Sequence, residues 1–123
     1  MPHRVLDADR ADALGRLCEL FVPGSGRVGP VTYIDAHLAV LPPEVQGFAV
    51  ASIDALSGAT DAESLADHAA TPAFGFVRAL AIEAFYSDFV AASAEGPGAW
   101  SEIDFNSPQA TRLRKDWSFL GIA

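Results

Sequence analysis

TPAFGFVRALAIEAFY, residues 71–86, reads as one helix from end to end. Thr71 suits the N-cap, because its hydroxyl can accept from a first-turn amide. Pro72 fits the first helical position, where no N–H is needed. Phe74, Val77, Ala81, Ala84 and Phe85 fall on one face, and Phe76, Leu80 and Ile82 cover much of the rest. A helix that is apolar on most sides belongs at the centre of a bundle, with other helices around it.

The residues before it supply those other helices. Leu14, Leu17, Cys18 and Phe21 recur at helical spacing, Asp7 or Asp9 can cap the first turn, and Pro23 with the glycines after it ends the run. Pro30 starts a second helix with Ile34, Leu38 and Leu41 as its stripe. Pro42-Pro43 separates it from a third, whose face is Val45, Phe48, Ala49, Ser52, Ile53 and Leu56, with Gly58 as a left-handed stop. Thr60 to Glu63 has the form of a capping box for a short fourth helix reaching about His68. No segment alternates with the period of a strand. The expected fold is therefore an all-α bundle of about five helices in one domain. Residues 8–89 form its core, and residues 90–123 form a hinge and an irregular, aromatic-rich C-terminal tail.

Composition narrows the function classes. The chain has 123 residues, half of them hydrophobic, with sixteen acidic against eight basic residues and a net charge of −8. That balance argues against nucleic acid or an anionic membrane as a partner, since both call for a basic face. No apolar run is long enough to span a bilayer, and MPHRVLDADR lacks the apolar core of a signal peptide, so a cytoplasmic location is the default expectation. Cys18 has no partner for an internal disulfide, and its helical position makes it a buried small hydrophobe.

Gly24-Ser25-Gly26-Arg27-Val28-Gly29 matches the glycine pattern of dinucleotide-binding loops letter for letter. That chemistry needs a strand before the loop and a βαβ unit around it, and neither is present, so the segment reads as an interhelical loop. His37 lies one turn after Tyr33 and can share its face, while Asp35 points elsewhere. Glu83 sits within the apolar fifth helix, which suggests partial burial and a partner, an arginine of the tail among the candidates. His37, Glu83, Tyr86 and Asp88 are the groups available for acid–base chemistry. Neither a Glu-x-x-His pair nor Cys/His spacing for zinc occurs, and no metal is expected.

The tail has a different character. Ala91 to Gly98 is small and flexible, Trp100 begins an extended or irregular segment that continues to Phe105, and Ser107-Pro108 can open a last helical turn. Between Ala79 and Thr111 stand five acids and no lysine or arginine; then Arg112, Arg114 and Lys115 follow within four residues, with Trp117 and Phe119 beyond. Aromatic residues and arginine dominate interface hot spots, so Tyr86, Trp100, Phe105, Arg112, Arg114, Trp117 and Phe119 are the candidate partner-binding residues. Both tryptophans could equally fold back as lids on the bundle.

Two segments, LGRLCELFVPGSGRVGPVTYIDAHL and FGFVRALAIEAFYSDF followed by GAWSEIDF, resemble the gluconate 2-dehydrogenase subunit 3 family. Phe85-Tyr86-Ser87-Asp88 with the later Trp100 is the most specific part of the likeness. The resemblance implies a small helical subunit that binds no cofactor and clasps a large FAD-dependent oxidoreductase of the glucose-methanol-choline type, with FAD held by that partner. The chain departs from the family in lacking a twin-arginine signal, in having Phe89-Val90 where Tyr-Gly-Gly-Asn is usual, and in ending on NSPQATRLRKDWSFLGIA, which has no counterpart there. Two other readings stand beside it: a small cyclase- or isomerase-type enzyme of secondary metabolism using the acid–base groups above, and a homo-oligomer that exchanges its tails.

Overall fold

The computed structural model describes residues 3–87, 89–92, 94 and 98–102. Among them are five main helices and no strand: α1 (Ala8–Phe21), α2 (Pro30–Ala39), α3 (Pro43–Leu56), α4 (Ala62–Ala66) and α5 (Pro72–Tyr86). A 3₁₀ turn, Ser25–Val28, lies between α1 and α2, and a single helical turn, α6 (Ala99–Glu102), follows α5. The all-α bundle expected from the sequence is the observed architecture.

The helix starts follow the local chemistry. Asp7 caps α1 by accepting the Arg10 N–H at 2.8 Å. Thr71 caps α5 through its hydroxyl, which accepts the Phe74 N–H at 3.2 Å, and Pro72 occupies the first turn. Prolines also open α2 and α3. The box on α4 is shifted by one residue from the expected one. Asp61 is the cap and Ser64 the reciprocating residue, rather than Thr60 and Glu63, and the helix stops at Ala66 instead of reaching His68. An aspartate carboxylate is a good acceptor at this position, and Ser64 places its short hydroxyl within reach of the Thr60 and Asp61 amides. Gly58 is not the left-handed stop: α3 ends through Ser57 in right-handed backbone, and the described glycines at positive φ are Gly24 and Gly29.

α5 is central, packing on α1, α2 and α3. Val77, Ala81 and Ala84 of α5 are fully buried among Leu14, Cys18, Ile34, Leu38, Ala49, Ile53 and Leu56 from the surrounding helices. Each large side chain of this set contributes about 1.5–3 kcal/mol by leaving water. Ser52 lies where the apolar periodicity put it. It is 2% exposed, and its hydroxyl has no partner among the described residues. Phe48 is a departure: it is 44% exposed and packs edge-on against Phe76 at 4.9 Å instead of entering the core. Leu41 follows the end of α2, where Gln46 of α3 donates its side-chain amide to the carbonyls of Leu38 and Leu41.

One tie is invisible to periodicity. Asp35 of α2 is 4% exposed, and it accepts the backbone N–H groups of Arg4, Val5 and Leu6 at 2.7, 2.9 and 3.0 Å. The segment before α1 is thereby fastened to the second helix. Between α1 and α3, the Arg10 guanidinium makes two 2.9 Å bonds to Asp54.

Candidate functional site

The sequence-nominated groups converge where α2 meets the C-terminal half of α5. The Tyr33 hydroxyl donates to Glu83 Oε1 at 2.9 Å. The Tyr33 ring stacks near the His37 imidazole, with centroids 6.2 Å apart and planes 17° apart, and it touches Phe89 at 5.4 Å. Tyr33 thus joins His37 to Glu83 across two helices. The hydrogen bond to Glu83, together with some desolvation and the carboxylate charge, raises the Tyr33 phenol above its ordinary range, with Ser87 opposing.

Glu83 is exposed, contrary to the expectation of partial burial, because it lies on the rim of α5 rather than on either apolar face. Its partner among the described residues is Tyr33, and the tail arginines lie outside those residues. Tyr86 is 51% exposed, and its ring meets Phe85 edge-on at 5.1 Å. Trp100 is half-buried against the core, and its indole N–H donates to the Tyr86 carbonyl at 2.9 Å, satisfying an orphan acceptor at the end of α5. It stands in the α6 turn rather than in an extended segment, in the fold-back arrangement. Asp88, Phe105, Arg112, Arg114, Trp117 and Phe119 lie outside the described residues.

The chain after α5 is held in place by the loop before α2. Ala91 N–H donates to the Val28 carbonyl at 2.8 Å, and a Cβ on Gly29 would lie 2.7 Å from that of Ala91. Gly29 has φ 67° and serves as the N-cap of α2, so it combines left-handed backbone with a close approach. Arg27 lies over the Phe85 ring at 5.1 Å, bridging the same loop to α5. The glycine pattern is an interhelical loop, as its context implies. The amides of Gly24 and Gly26 bind the Glu19 carboxylate at 2.8 and 2.9 Å, so the position a phosphate would take is filled by the chain's own side chain.

Two of the clefts bordered by described residues are open ones. One, of about 390 Å³, is lined by Asp9, Arg10, Asp12, Arg16, Asp54 and Ser57. The other, of about 300 Å³, is bordered by His3, Asp12, Gly15 and the first turn of α2. Neither contains His37, Glu83 or Tyr86. Cys18 is fully buried, and burial pushes its thiol up to about 12, so it is a core residue rather than a nucleophile. Among the described residues no three His, Cys, Asp or Glu side chains gather as metal ligands, and no helix is long and apolar enough to cross a membrane.

Sequence reasoning placed Tyr33 and His37 on one face but missed Tyr33 as the bridge to Glu83, which lies fifty residues away. Phe89 and Val90 were also missed, because no periodicity marks them. Compared with known proteins, the chain matches no family model, no curated protein and no solved structure.

Proposed function

We propose that this chain is a non-catalytic helical subunit that docks on a larger protein through the end of the bundle carrying Tyr86 and Val90. The observation that carries this reading is the exposure of those residues, 51% and 36%, beside a helix end tied down by Trp100 and by the Ala91–Val28 bond. Tyrosine supplies large contact area at low entropic cost, and more so when its backbone is already ordered. The resemblance of the Phe85-Tyr86-Ser87-Asp88 stretch supplies the partner class: an FAD-dependent oxidoreductase large subunit, which would hold the FAD. Co-expression of the tagged chain with a flavoprotein encoded beside it tests this. The expected result is a stoichiometric complex carrying flavin absorbance, lost in Tyr86→Ser although the helical circular dichroism and melting temperature stay unchanged. A chain that remains monomeric beside that flavoprotein refutes the reading.

A second reading rests on the Tyr33–Glu83–His37 contact: a small enzyme of the cyclase or isomerase type, with Glu83 or His37 as base and Tyr33 as proton donor. It requires that Glu83→Gln abolish turnover of a small substrate by the isolated chain, with folding intact. A complex with the flavoprotein that survives Glu83→Gln unchanged favours the first reading.

A further inference from the structure

Main-chain amides outside helices and sheets usually bond to water or to neighbouring main chain. Here three successive ones, of Arg4, Val5 and Leu6, converge on the single buried carboxylate of Asp35. Among the described residues, no bond from main chain to main chain joins residues 3–6 to the rest of the protein. Their remaining anchors are apolar: Leu6 belongs to the core cluster and Val5 packs at its margin. His3 places Nδ1 3.8 Å from Asp35 Oδ2 and forms one wall of the 300 Å³ cleft. The next residue, Asp7, is the cap of α1 and bonds within that helix.

We propose that His3–Leu6 is a strap that opens as a unit, with Asp35 as its clasp and Asp7 as its hinge, and that opening widens the cleft beside α2 and bares the seat of Leu6. The motion leaves every helix intact. The Asp7 cap keeps the start of α1, and the strap contributes nothing to the internal bonds of α2. It breaks three hydrogen bonds to one charged acceptor and uncovers Leu6 together with the marginal Val5, far less than global unfolding uncovers. Segments with that contact pattern open locally, ahead of the core. His3 is the titratable group beside the carboxylate; Arg4 offers it only a backbone amide, and Asp12 of α1 faces the cleft rather than the clasp.

Residue-resolved amide exchange on the full chain tests this. The amides of Arg4, Val5 and Leu6 should exchange more slowly than free peptide yet through an opening insensitive to denaturant, unlike those of Ile53 or Ala81. Asp35→Ala should speed all three about tenfold or more, because bonds to a charged acceptor are lost. Asp35→Asn is the milder variant. With its oxygen kept at the Oδ1 position it still serves Val5 and Leu6, so Arg4, bound to Oδ2, should respond most. Thiol labelling of Leu6→Cys should be faster than that of Cys18 and should accelerate further with Asp35→Asn. The proposal is overturned if the three wild-type amides exchange only with the core, through global unfolding. It is also overturned if neither Asp35 variant changes their rates, or if Leu6→Cys labels no faster than Cys18.

Discussion

Gly29→Ala asks whether the candidate docking end is held by the loop before α2. At φ 67° an alanine pays a left-handed backbone penalty of about 1–2 kcal/mol. Its Cβ would also stand 2.7 Å from the Ala91 Cβ, closer than non-bonded carbon atoms approach. If the segment after α5 stays in place, overpacking adds about 1–3 kcal/mol. If it moves away, the Ala91–Val28 hydrogen bond is lost at about 1 kcal/mol instead, and the burial of Ala91 goes with it. The cheaper escape wins, so the total should be about 2–3 kcal/mol. Gly24→Ala is the control. It shares the positive φ, at 87°, but its nearest obstacle is the end of the Arg27 side chain at 3.2 Å, which can shift. The difference between the two variants, about 1 kcal/mol, isolates the docking of Ala91 from the backbone term. Urea unfolding followed by circular dichroism gives the two stabilities, and amide exchange at Ala91 reports the local bond. Equal destabilisation by the two variants, or unchanged protection at Ala91 in Gly29→Ala, would refute the reasoning.

Gly47 and Gly75 lie inside α3 and α5 with open space around an added Cβ, so each change to alanine should raise stability by about 0.5–1 kcal/mol in the same unfolding assay. For Asp35, burial works to raise the pKa, but the amides of Arg4, Val5 and Leu6 and the nearby His3 outweigh it, leaving the carboxyl below its ordinary range. Its stabilisation is therefore complete above the unfolded value of about 3.9 and lost as pH falls through the lower folded value. Asp35→Asn should flatten the acid limb of a stability–pH curve without abolishing it, since Asp54 and Asp61 are lowered too. In a Tyr86→Phe background, Glu83→Gln should bring the Tyr33 phenolate titration down toward the ordinary range, read by ultraviolet absorbance; an unchanged titration would remove the Tyr33–Glu83 bond from the site.

The residues divide cleanly by the range of the interactions that place them. Thr71-Pro72, Asp7 and the apolar spacing of α1 and α5 were legible because capping and helical periodicity act within a turn or two of sequence. The glycine loop was readable for the same reason, since its neighbours are helical. Short-range preference also misled. Thr60 and Glu63 satisfy a capping pattern that Asp61 and Ser64 satisfy better once the backbone direction is set. Phe48 fits the apolar stripe of α3, yet its neighbour across the interface is the half-exposed Phe76 rather than the core. The exposure of Glu83 turns on where the partner helices stop covering α5, which periodicity along one helix does not encode.

By itself, the amino-acid order determined that the described part of this protein would be helical, where most helices begin, and that residues 71–86 would run through the centre. Those outcomes follow from backbone hydrogen bonding and the burial of apolar faces, both of which repeat along the chain. Only the tertiary structure decided that Asp35 would gather amides about thirty residues away, that Tyr33 would meet Glu83 fifty residues on, and that Gly29 would receive Ala91. Such pairings depend on helix rotation and crossing, where small angular differences move a side chain from one neighbour to another, and no local pattern carries that information.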